Sequence, residues 1–163
     1  MDIVELMKNE EEAIVAEALA AVSWLEHYER DGEEIARERL RALCRLVGQA
    51  IKTQDLAELL SHAGTIARER HAAGYGRAEV MGAFSFVEEA IWHQALNTLP
   101  LKERTWGISL VGTSLTHARE ALARAFLEVG TGARPSFVDL SPLFLGTEAA
   151  GRNQFHEDLV QPV

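Results

Sequence analysis

Apolar side chains recur every three to four positions from residue 3 to residue 129, the spacing that gives a helix one buried stripe. The first stripe, over about residues 2–30, carries Ile3, Leu6, Met7, Ile14, Ala18, Ala21, Val22 and Leu25. The acidic triple Glu10-Glu11-Glu12 interrupts it and divides a short N-terminal turn from the helix proper; Asp31-Gly32 ends it. A second helix over about 33–52 places Ile35, Ala36, Leu40, Leu43, Val47 and Ile51 inward. Thr53 or Asp55 caps a third, which runs to about residue 73 with Leu56, Leu59, Leu60, Ala63, Ile66 and Ala67 on its inner face. Gly74-Tyr75-Gly76 stops it, because glycine adopts the left-handed conformation that closes a helix.

The fourth helix, about 77–97, presents Val80, Met81, Phe84, Val87, Ile91, Ala95 and Leu96. Pro100 opens a new element, since proline suits the start of a helix and not its interior. The fifth, about 102–129, is long and contains Gly107 and Gly112, which either weaken it or let a neighbour come close. Gly130-Thr131-Gly132 ends it. No alternating pattern of useful length points to a strand. The expected fold is therefore all-α: a five-helix bundle over residues 1–129, then an irregular tail over 130–163. Phe137, Val138, Leu140, Leu143, Phe144 and Leu145 make the tail segment 135–146 too apolar for a solvated linker. It is expected to pack on the bundle or on a partner.

The chain has 163 residues, 47% hydrophobic and 25% charged, so it can bury one sizeable core and is not generally disordered. Its net charge of −9 argues against nucleic acid or anionic membrane as a partner, since both reward a positive surface. The acids crowd into residues 1–31, which carry −7, whereas the next stretch holds Arg37, Arg39, Arg41, Arg45 and Lys52. That opposition suits two antiparallel helices with complementary faces, although solvated pairs of this kind add little stability. A single cysteine, Cys44, forms no internal disulfide, and the acidic N-terminus is unlike a secretory signal. A cytoplasmic location is expected.

Carboxylates on helices raise the question of a metal centre. A ferritin-like di-iron site needs Glu-x-x-His on two helices, and that motif does not occur. Glu58 with His62 and Glu89 with His93 stand four apart, and His117 with Glu120 reverses the order; each is half a site at most. His93 or His71 could serve haem as an axial ligand, which makes a globin-like or ferritin-like cofactor bundle the alternative reading. His117 has a superficial likeness to a phosphoacceptor, without the proline that usually follows. Cys44, between Leu43 and Leu46, reads as core, and no nucleophile elbow or P-loop is present. No cofactor and no catalytic residue is expected. Trp24, Trp92 and Trp106 read as core or interface anchors.

Residues 67–84, Ala-Arg-Glu-Arg-His-Ala-Ala-Gly-Tyr-Gly-Arg-Ala-Glu-Val-Met-Gly-Ala-Phe, resemble the centre of the N-terminal helical domain of RsbRD-type co-antagonists of the RsbT kinase. There a helix closes on a glycine turn, and the next begins with an aromatic, a polar pair and Glu-Val before an apolar run. Trp24-Leu25 matches the early tryptophan of that domain, and the likeness extends over about residues 15–128. The same stretch also reads as a well-made corner: Gly76 as N-cap, Glu79 at the third helical position and Tyr75 stapled onto Val80. The resemblance implies a non-catalytic sensory or regulatory input domain that signals through helix packing. It departs from the family plan, in which a phosphoacceptor or kinase domain follows. A homodimer with a separate output protein is the expected assembly, and long first and fifth helices are its candidate surfaces. Any ligand is expected between the third, fourth and fifth helices, near Phe84, Trp92 and Trp106.

Overall fold

A computed structural model describes residues 1–25 and 30–131 of the chain. Residues 130 and 131 of the expected tail continue the last helix, and the rest, with its apolar segment 135–146, lies outside the described residues. Among the described residues every regular element is a helix: α1 (Ile3–Asn9), α2 (Glu11–Val22), α3 (Glu33–Thr53), α4 (Ala57–Ala72), α5 (Arg77–Thr98) and α6 (Leu101–Thr131). The all-α expectation holds; the count is six because the first stripe folds as two helices. At Glu10 the backbone leaves helical geometry (φ −103°, ψ 16°) within the acidic triple. Asp2 caps α1 by accepting from the Glu5 N–H at 2.9 Å, while Glu5 accepts from the Asp2 N–H at 3.2 Å. α2 stops at Val22, well short of residue 30, and Leu25 continues inward from a turn.

The other boundaries follow local chemistry. Gln54 closes α3 in the left-handed conformation (φ 56°), and the Asp55 carboxylate accepts from the Ala57 N–H at 2.8 Å where α4 begins. At the end of α4, Gly74 (φ 85°) allows the Tyr75 N–H to reach the Arg70 carbonyl at 2.9 Å. The Gly74 N–H meanwhile reaches the His71 carbonyl at 3.0 Å, completing a Schellman closure. Glu79 then accepts from the Gly76 N–H to start α5. Beyond Pro100, Arg104 donates to the Leu99 carbonyl at 3.0 Å and steadies the α5–α6 corner.

The 31-residue α6 spans about 46 Å. It packs most extensively on α4 and α5, and α2 lies chiefly on α5 and α3. Leu6, Ile14, Leu59, Ile91, Leu99, Leu115 and Leu122 are fully buried and join all but α3 to one core; Leu40, Leu43 and Val47 bring α3 into it. Gly107 shows what the long helix gains from glycine. A Cβ there would stand 2.8 Å from the Cβ of Ile3, so the small residue lets α1 lie close against α6. The acidic and basic faces do meet across the antiparallel α2–α3 pair. Arg45 grips Glu11 through two bonds of 2.7 and 2.8 Å, and Arg41 reaches both Glu11 and Glu12.

Several residues expected inside stand outside. Ile35 is half exposed because α3 buries the stripe Ala36, Leu40, Leu43 and Val47, one position round the helix. Leu96 is similarly exposed because α5 buries the stripe Phe84, Val87, Ile91 and Ala95, one position round the helix. Trp24, in the turn after α2, is 90% exposed and anchors nothing in the core. Among the described residues no helix is long and apolar enough to cross a membrane.

Candidate functional site

The α4–α5 corner roofs a gap between α3, α4 and α5. Leu40 of α3, Ile66 of α4 and Val80 and Phe84 of α5 wall it, and Leu25 closes one side. Two of the side chains facing it, Ala36 and Ala83, are too small to meet across the space. A cavity of about 80 Å³ remains, lined almost wholly by carbon. Close-packed interiors rarely leave such a volume, and an apolar gap of this kind accepts a small apolar molecule.

Polar groups gather at its mouth around one atom. Asp31 Oδ2 accepts from Arg39 of α3 at 2.6 Å, from Arg70 of α4 at 2.8 Å and from the Tyr75 hydroxyl at 2.8 Å. The guanidinium of Arg70 lies 5.1 Å from the centre of the Tyr75 ring, within cation–π range. Arg70 is only 12% exposed, and its buried Nε–H has no acceptor among the described residues. Asp31 itself is 30% exposed. The Arg39 bond above all, then those from Tyr75 and Arg70, hold its carboxyl far below the usual carboxylate range against the opposing effect of burial. Burial and the neighbouring carboxylate push the Tyr75 phenol up. Asp31 belongs to the Asp31-Gly32 break, and Gly32 at φ 82° turns the chain into α3 beside it.

Two further polar side chains face the cavity. His62 is half-buried, and desolvation lowers its pKa, so the neutral imidazole is favoured. Glu79, from the first turn of α5, completes the lining. Asp31, Arg39, Arg70 and Glu79 together balance in charge.

The ligand site was expected between the helices that are α4, α5 and α6 here, not in this gap, and its three residues are dispersed. Phe84 is buried in the wall of this cavity. Trp92, two helical turns further along α5, packs into the α5–α6 seam, 3.7 Å from where a Cβ on Gly112 would stand, and its buried Nε1–H has no acceptor among the described residues. Trp106 is 65% exposed and borders a separate, more open groove with Ile3, Ile51 and Leu110, lined also by Lys8, Lys52 and Glu103. The expectation missed Asp31, Arg39, Arg70 and Tyr75 as one unit. The sequence marked Asp31 as a helix break, Arg39 as part of a basic face and Tyr75 as a staple onto Val80, with nothing to join them.

The other candidate residues are bound up elsewhere. His93, with its Nδ1 3.0 Å from Glu17 of α2, lies on the surface, and His117 pairs with Glu120 at 3.5 Å. His71 meets Phe126 edge-on, with ring centres 6.0 Å apart. Cys44 is buried and desolvation pushes its thiol up to about 12, the behaviour of a core residue and not of a nucleophile. Among the described residues no three of His, Cys, Asp and Glu converge as a metal site would require.

Compared with known protein families, curated proteins and solved structures, the chain gives no match.

Proposed function

We propose that this bundle is a non-catalytic input domain: a small ligand enters the cavity under the α4–α5 corner, and helix packing relays the event to a protein partner. The carrying observation is the coincidence of an unfilled apolar cavity with a single carboxylate oxygen that ties three elements together at its mouth. A ligand that shifts any of those ties biases α3, α4 and the corner at once, which is what a sensor needs in order to change its packing. The resemblance of residues 67–84 to the RsbRD-type helical domain supports the reading. That stretch supplies Arg70, Tyr75, Glu79, Val80, Ala83 and Phe84 to the cavity. In this proposal the chain works as a cytoplasmic homodimer and hands its signal to a separate output protein.

The test fills the cavity from within. Ala83→Leu adds three carbons to the wall. Thermal-shift screening of wild type against a panel of small metabolites should find compounds that raise the melting temperature. The same compounds should leave Ala83→Leu unmoved while light scattering reports the same dimer. Equal shifts in both proteins would contradict the proposal, as would a Soret band or stoichiometric iron in the purified protein.

A further inference from the structure

Asp31 can be viewed as one half of a recognition event already complete. Its Oδ2 receives three donors that arrive from α3, from the last turn of α4 and from the α4–α5 corner. Donors from separate elements converging on one anionic oxygen make a carboxylate receptor, and guanidinium forks favour that partner strongly. The occupant is not part of any helix. It precedes α3 in the turn at Gly32, where an added Cβ would meet none of the described residues within 4 Å.

We infer that the Arg39–Arg70–Tyr75 cradle is a carboxylate-binding site which Asp31 fills as an internal stand-in. Its ligand is a compact monocarboxylic acid that displaces Asp31 and places a short apolar body in the cavity. The inference rests on the reading of this cavity as the sensory site and names the ligand class for it. Charge selects a monoanion. With Asp31 withdrawn, the cradle keeps the guanidinium groups of Arg39 and Arg70 and loses one negative charge, which one ligand carboxylate restores. Arg70 also retains a buried Nε–H without an acceptor among the described residues while Asp31 sits in the cradle, a donor left over for a second oxygen. Size selects the body. A 150 Å³ apolar cavity holds the six carbons of benzene, so the roughly 80 Å³ here suits about three to four carbons. Displacing Asp31 frees the turn before α3 from both α4 and the corner, which couples ligand capture to helix packing.

The experiment compares 3-methylbutanoate with its amide, 3-methylbutanamide, by calorimetric titration of wild type, Asp31→Ala and Asp31→Asn. Asp31 competes with the ligand, so removing its charge should tighten binding of the acid by at least about tenfold. Both Asp31 variants should also gain more in melting temperature from the acid than wild type does. Tyr75→Phe should weaken binding of the acid. The amide should bind no variant better than wild type. Asp31→Asn keeps the shape of the side chain and carries the test if Asp31→Ala does not fold. Binding of the acid no tighter to Asp31→Asn than to wild type would overturn the inference. Amide binding as good as acid binding would also overturn it, while leaving the cavity as the sensory site. Failure of the sensory reading itself would show differently, as equal responses of wild type and Ala83→Leu across the whole panel.

Discussion

Replacing Asp31 by asparagine removes a charge but hardly any volume, so its effect on stability isolates the three hydrogen bonds. The bond to Arg39 joins two side chains that are each about one-third exposed, and such pairs contribute about 0–1 kcal/mol. The bond to Arg70, which is 12% exposed, is better shielded, and a hydrogen bond to a charged group contributes about 1.5–3 kcal/mol. Asparagine can still accept from one donor, which offsets part of the loss. The expected net destabilisation is about 2–3 kcal/mol, or about 4–12 °C in melting temperature for a chain of this length. Urea unfolding at pH 7 should show the loss in the midpoint with an unchanged slope. The pH dependence carries the sign. The folded carboxyl titrates far below its unfolded value, so its stabilisation is complete above the unfolded pKa near 4 and is lost as pH falls below that. The gap between wild type and Asp31→Asn should therefore be constant from pH 7 to 5 and close on further acidification. A gap under about 0.5 kcal/mol at pH 7, or one that widens in acid, would refute the reasoning.

Gly107→Ala and Gly48→Ala should move stability in opposite directions. Both gain about 1 kcal/mol of helix propensity. At Gly48 the new Cβ meets only the flexible Met7 terminus at 3.8 Å, whereas at Gly107 it meets Ile3 Cβ at 2.8 Å, and overpacking of that kind costs about 1–3 kcal/mol. Equal stabilisation of both variants by chemical denaturation would show that α1 does not lie against α6 as described. His62→Gln should flatten the loss of wild-type stability on going from pH 7 to 5. Burial lowers the folded pKa of His62, so the unfolded chain takes up the proton first as pH falls through its unfolded value. Parallel pH profiles for the two proteins would refute that role.

How much of this was legible in the sequence depended on what kind of information each feature needs. Helix positions are local: the acidic triple at Glu10 and the closure at Gly74-Tyr75-Gly76 act where they stand and mark real boundaries, whereas Asp31-Gly32 marks the start of α3 and not the end of the preceding helix, which stops at Val22. The α2–α3 ion pairs were visible as opposed charge because neighbouring helices in an antiparallel pair keep a fixed register. The cavity was not visible. Periodicity identifies which face of each helix is apolar, but not where two faces fail to meet across Ala36 and Ala83. Asp31 and Tyr75 are 44 positions apart, and no local signal joins them. Large aromatics were the natural guess for a binding site, yet Trp106 lies in another groove and Trp92 in the α5–α6 seam. Only Phe84, on the inner stripe of α5 next to the corner, was both legible and in place.

Methyl-labelled spectra of the intact chain during titration with 3-methylbutanoate test the central claim most directly. The account predicts that the methyls of Leu40, Ile66 and Val80, which wall the cavity, shift in a saturable way, while those of Ile3, Ile51 and Leu110 beside Trp106 stay fixed. Shifts confined to the Trp106 groove, or no saturable shift at the cavity wall, would contradict it.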